Sequence, residues 1–175
     1  ECAHTVIAVI NKYVPRSFGQ AMIRMSEIDI WCEDDTPLIE APFTAPNEVE
    51  TAIGKHCAEL IEDGACLQMG IGAIPNAVLA ALANHKHLGL HTEALTDGVL
   101  PLVESGVING MNKVTDPGKM VSTFLMGSQE VYDFIDDNPG VLMMDVGYTN
   151  DPFIIAQNPK VTAINSALQI DLTGQ

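Results

Sequence analysis

Basic residues are scarce in this chain. Eight Lys and Arg stand against 23 Asp and Glu, giving a formal net charge of −15. A nucleic-acid partner is excluded on that ground, because phosphate backbones are held by basic stripes and none is present. The same field repels small anions, although backbone amides can hold phosphate without any Lys or Arg. No apolar run approaches the roughly 20 residues that span a bilayer, and no charged-then-apolar leader opens the chain. A membrane partner is not expected. Cysteine is sparse as well. Cys2, Cys32, Cys57 and Cys66 form no Cys-x-x-Cys pair and no zinc-finger spacing, and read as buried free thiols in a reducing cytosol.

What is present is an ordinary globular mixture, 47% hydrophobic and 18% charged over 175 residues. The chain opens on Glu1 rather than Met and stops at Gly174-Gln175 after a strand-like run, so both ends read as cuts in a longer protein. Thr5–Ile10 is β-branched and continuous, the mark of a buried strand. Residues 33–48 carry acids, no base, and Pro37, Pro42 and Pro46. They read as a linker and the best internal boundary. A helix starts next: Asn47 can cap it, Glu50 completes a capping box, Val49, Ile53, Cys57, Leu60 and Ile61 share one face, and Gly64 closes it.

From there strand and helix signals alternate. Strands are expected at Cys66–Met69, Leu88–Thr92, Met120–Met126, Val141–Met144, Val161–Asn165 and Ala167–Leu172. Helices are expected at Ile74–Ala83, Asp97–Ser105, Ser128–Asp137 and from Pro152 to about Gln157, the last opened by an Asp151 cap. This alternation predicts an α/β fold with a mainly parallel sheet.

Two segments could carry chemistry. Gly70-Ile71-Gly72-Ala73-Ile74-Pro75-Asn76 follows a strand and opens a helix, where backbone N–H groups and the helix dipole can meet an anion. It lacks the third glycine of a dinucleotide fingerprint and the Gly-Lys-Ser/Thr of a P-loop, so it reads equally as a tight turn. His91-Thr92-Glu93 ends the next strand, on the same edge of a parallel sheet. A carboxylate there can attack an activated acyl group if oxyanion donors stand nearby, or it can be a solvated side chain. His85, His87 and His91 lack matching ligands at metal-site spacing. His85 and His87 read as helix-end cations, and His91 as an orienting neighbour of Glu93 or a packed residue. Asp97-Gly98 and Ser105–Gly110 carry turn chemistry. Gln169, after Asn165-Ser166-Ala167-Leu168, is a candidate to face the same cleft.

The order Glu50–His56, Gly70–Asn76, His91-Thr92-Glu93, Asp97-Gly98, Ser105-Gly106-Val107, Phe124–Gly127 and Asn165–Gln169 resembles the acetyl-CoA hydrolase/transferase family of family I CoA-transferases. Within it the pattern is similar to the 4-hydroxybutyrate and butyrate:acetate CoA-transferases. The resemblance spans essentially the whole chain. It implies a NagB/RpiA/CoA-transferase-like fold, with residues 1–46 as the end of a first domain plus linker and 47–175 as the opening part of a second. It implies Glu93 as nucleophile. It also implies Gly70, Ile71, Gly72, Ala73 and Ile74, with Gln68 before them, as coenzyme A contacts. The implied activity is ping-pong transfer of coenzyme A between an acyl-CoA and a short-chain carboxylate, without metal, in a cytoplasmic homo-oligomer. The alternatives are an acyl-CoA hydrolase on the same scaffold and a non-catalytic, self-associating fragment.

Overall fold

The computed structural model describes residues 3–41 and 45–175. Cys2 and Pro42, read above as a free thiol and a linker proline, lie outside the described residues. The chain begins with a two-stranded parallel pair, β1 (Ile7–Ile10) and β3 (Ile30–Glu33). Between them β2 (Phe18–Gly19) leaves to join a different sheet. The expected buried strand is therefore four residues long and open to solvent, with Ile7 63% and Val9 60% exposed. Most side chains of this pair are exposed on both faces. No regular structure interrupts residues 34–41 or 45–47.

The first long helix, α1 (Glu48–Ala58), begins as expected. The Asn47 side chain accepts from Glu50 N, and Glu50 Oε2 accepts from Asn47 N at 2.8 Å. A cap of this kind is worth about 1 kcal/mol. The end and the buried face differ from expectation. The helix stops at Ala58, six residues before Gly64, whose positive φ instead shapes the turn into the next strand. The buried positions are Gly54, Ala58 and, just past the helix, Ile61, while Val49 and Leu60 are exposed. The reason is a close helix crossing. A Cβ on Gly54 would stand 2.6 Å from the carbonyl carbon of Ala77, so small residues, not the apolar stripe, face the partner helix.

That partner is α2 (Ala73–Ala81), preceded by β4 (Cys66–Met69). The chain continues through β5 (Gly89–Leu90), β6 (Ala94–Leu95), a 3-10 turn at Asp97–Val99, α3 (Leu100–Glu104), β7 (Met120–Ser122) and β8 (Phe124–Leu125). It then forms α4 (Gln129–Ile135), β9 (Val141–Met143), α5 (Val146–Thr149), α6 (Pro152–Ile155) and β10 (Thr162–Ile164). Among the described residues all the strand pairs are parallel. A parallel bridge between His91 and Val121 joins two three-stranded sheets edge to edge, giving the order β10-β4-β5-β7-β9-β2. The α/β class with parallel pairing is as the sequence predicts. The core is one cluster of Leu, Val and Ile from these strands and from α2, α3 and α4.

Other expectations are corrected in detail. The strand over Met120–Met126 is broken at Thr123. Ala167–Leu172 is not a strand: it is irregular, with Leu168 and Leu172 fully exposed, and among the described residues no strand pairs with the outer side of β10. His85 and His87 lie beyond the end of α2 rather than on it; His85 Nε2 donates to Ile61 O, and His87 sits at a positive φ. Of the described cysteines only Cys66 is buried; Cys57 is half-buried and Cys32 exposed. No helix among the described residues is long and apolar enough to cross a membrane.

Candidate active site

The strand order reverses at one place. From β4 the chain steps outward through β5, β7 and β9, and then β10 returns to the opposite side of β4. Loops leaving neighbouring strands at such a point diverge, and open α/β sheets hold ligands in the resulting crevice at the carboxyl ends of the strands. The glycine loop leaves β4 at this point, and Asn165 leaves β10 beside it.

Gly70 is glycine for lack of space. A Cβ would lie 2.8 Å from Asn165 Oδ1 and 3.1 Å from Ile164 O. Its N–H donates to Ile164 O at 2.7 Å, so this amide extends the sheet and does not face the crevice. Gly72 is glycine for conformation: φ is 121°, and its Cβ position is empty. As the N-cap of α2 it has no side chain to satisfy the first helical amides. The N–H groups of Ile71, Gly72, Ala73 and Ile74 have no acceptor among the described residues. Those at a helix start are unsatisfied by construction and suit an oxyanion or phosphate. Gln68 is half-buried on β4 and exchanges amide hydrogen bonds with Asn165, Nδ2 to Oε1 at 2.8 Å and Nε2 to Oδ1 at 3.3 Å.

Thr92 ties this loop to the next strand. Its buried Oγ1 donates to Met69 O at 2.9 Å and accepts from Met69 N at 3.0 Å, replacing a backbone rung between β4 and the end of β5. Met69 immediately precedes Gly70, and Glu93 immediately follows Thr92, so one side chain sets the glycine loop and Glu93 in register.

Glu93 sits where the ladder between the two inner strands is irregular. Its carbonyl accepts from Thr123 N at 2.9 Å, Phe124 N at 3.0 Å and the buried Ser122 Oγ at 3.0 Å. The backbone is held by three donors while the side chain is exposed at the sheet edge. The carboxylate accepts from Asn150 Nδ2 at 3.2 Å. Asn150 was missed in the sequence. It lies 57 residues from Glu93 in a short connection between α5 and α6, and nothing in its neighbourhood distinguishes it from a turn asparagine.

His91 is a packed residue. It is 5% exposed, and its Nε2 donates to Thr149 O at 2.8 Å. Burial pulls its pKa below the usual imidazole range, so the ring is neutral, and Nδ1 has no partner among the described residues. Through Thr149 it holds the residue before Asn150. Gln169 is exposed in the irregular segment after β10, with no polar contact to Glu93. Asp97 receives Ser128 N at 3.0 Å and Ser128 Oγ at 2.6 Å, which makes it an anchor for the start of α4.

A parallel α/β sheet with an anion-suited glycine turn at its switch point and a carboxylate at the end of the adjacent strand is an arrangement that can serve acyl or phosphoryl groups at the carboxyl edge of the sheet. Comparison with known proteins narrows it. The sequence model of the acetyl-CoA hydrolase/transferase C-terminal domain matches residues 127–175. The chain is 50% identical over all its 175 residues to a 4-hydroxybutyrate coenzyme A transferase of Clostridium kluyveri, covering 41% of that protein. Over 97% of its length it is 48% identical to a succinyl-CoA:acetate/propanoyl-CoA:succinate CoA transferase of Fasciola hepatica, covering 36% of that protein. The crystal structure of a 4-hydroxybutyrate CoA-transferase from Porphyromonas gingivalis superposes with a TM-score of 0.93 at 43% identity, over 98% of this chain and 44% of that one. The chain belongs to the acetyl-CoA hydrolase/transferase family. It spans about two fifths of the length of these relatives.

Proposed function

We propose that this chain carries the nucleophilic half of a CoA-transferase site, with Glu93 as the attacking carboxylate. The observation that carries the reading is the Thr92–Met69 pair of hydrogen bonds, which registers Glu93 against the start of the glycine loop. Glu93 attacks the thioester carbonyl of an acyl-CoA, and the oxyanion rests on amides from Ile71 to Ile74. Coenzyme A leaves as thiolate and an acyl-glutamyl anhydride remains. The thiolate then attacks the glutamyl carbonyl, giving a glutamyl-CoA thioester and the free acid. A second acid reverses the sequence. Each exchange joins groups of similar energy, so the scheme uses neither a strong base nor a metal. Asn150 holds the carboxylate for attack. Gly70 and Gln68 shape the coenzyme A side of the crevice, Gly70 through its fit against Asn165 rather than through its own amide.

The acids are short-chain, of the 4-hydroxybutyrate, butyrate or acetate type, as in the names of the relatives. The reading includes a cytoplasmic homo-oligomer. It also divides the chain at about residue 46, into the end of a first domain with its linker and the opening part of a second. β2 is then a strand lent by the first part to the second part's sheet. Hydroxylamine or borohydride trapping after addition of acyl-CoA to the full-length protein, with mass mapping, tests the scheme. A modified Glu93 supports it; full turnover by Glu93→Ala overturns it.

A further inference from the structure

Along the chain leading to Glu93, buried and half-buried polar groups close a ring that the transfer scheme does not use. The loop at residues 110–119 is pinned from several sides. Gly118 N and Lys113 N both donate to Gly110 O, and Asn158 Oδ1 accepts from Val114 N and Thr115 N. Lys113 is 4% exposed and in no ion pair among the described residues. Its stem lies where a Cβ on Gly89 would be, and its ammonium donates to Leu90 O at 3.0 Å and Lys119 O at 2.9 Å. The loop is thereby fastened to the strand that ends in Glu93. It presents Asp116, whose Oδ2 accepts from Tyr148 Oη at 2.7 Å. Tyr148 stands on α5 beside His91, ring centroids 6.2 Å apart. The next residue, Thr149, accepts from His91, and the one after it is Asn150, bonded to Glu93.

We propose that the Asp116–Tyr148 hydrogen bond, mounted on the Lys113-fastened loop, is a positioning device that sets α5 and so aims the Asn150 amide at Glu93. A helix of four residues has too few internal bonds to hold its own orientation, so its direction is set by its anchors. The anchors on this side are Thr149 to His91 and Tyr148 to Asp116. Burial, with the adjacent Asp116 carboxylate, pushes the Tyr148 hydroxyl up to about 12, so it remains a donor through neutral pH. Tyr148 and Asp116 act through Asn150 and touch no reacting atom.

This inference rests on the reading of Glu93 as the nucleophile. Its test is a double-mutant cycle on the full-length protein, assayed with butyryl-CoA and acetate. Tyr148→Phe lowers kcat about tenfold and leaves KM for butyryl-CoA within about twofold, because a small misplacement of a positioning group costs rate rather than binding. In an Asn150→Ala background the same change has no further effect. Asp116→Asn keeps an acceptor and tolerates the positive φ at this position, and so keeps kcat, whereas Asp116→Ala reproduces Tyr148→Phe. Unchanged kcat in Tyr148→Phe, or an equal loss in both backgrounds, overturns the device. Glu93→Gln run in parallel separates the two ideas. If it retains turnover, the nucleophile assignment fails; if it is inactive while Tyr148→Phe is normal, only the positioning role fails.

Discussion

The two parallel pairs β1–β3 and β4–β5 are both largely apolar and have opposite fates: the first is rich in β-branched residues, the second has none. Ile7, Val9, Ile30 and Trp31 are all more than half exposed, while Cys66, Leu67, Met69 and Leu90 are buried. An apolar run therefore specifies extended backbone, and burial depends on what packs on the two faces. β4 and β5 have α2 and the core cluster on one side and the Lys113 loop on the other. Among the described residues β1 and β3 pair only with each other.

The contrast predicts a graded set of outcomes. The largest is Leu90→Ala in β5, which removes a fully buried side chain and lowers unfolding free energy by about 2–5 kcal/mol in a denaturant titration. Next is Thr92→Val, which leaves both Met69 backbone groups without their partner at a cost of about 1–3 kcal/mol and, on the proposed mechanism, slows transfer by the full-length protein because the glycine loop loses its register. Thr92→Ser restores both.

Thiol chemistry extends the contrast to pH. Burial pushes Cys66 up to about 11, while Cys32 on β3 is exposed, so iodoacetamide at pH 8 labels Cys32 and spares Cys66. The folded state then holds a proton that the unfolded chain has released. Stability consequently falls as pH rises between the ordinary thiol value of 9.0 and about 11. His91 works at the other end. Its pKa is lowered by burial, so the unfolded chain binds the proton first, and stability falls as pH drops below the ordinary 6.5. The smallest effect is Ile7→Ala in β1, within about 0.5 kcal/mol in the 175-residue chain. A cost of several kcal/mol for the same change in the full-length protein shows that this face is covered there.

Much of the candidate site was legible because its parts are local. The glycine turn, the His-Thr-Glu run and the α1 capping box each lie within a few residues, and strand-helix alternation places two of them on one sheet edge. Asn150 was not legible, since its link to Glu93 depends on how α5 is anchored. The α1 stripe misled because Gly54 and Ala58 allow a close crossing, and a scale that rewards large apolar residues ignores small ones.

The sequence by itself determined the α/β alternation, the loop that can receive an anion and the carboxylate one strand later. These follow from local propensity, glycine geometry and periodicity. Tertiary structure alone decided that Gly70 gives its amide to β10, that Thr92 bonds both backbone groups of Met69, and that Tyr148 meets Asp116 and His91 meets Thr149 beside Asn150. Each of these joins residues far apart in the chain, and such contacts exist only once the parallel strands have fixed the distances between them.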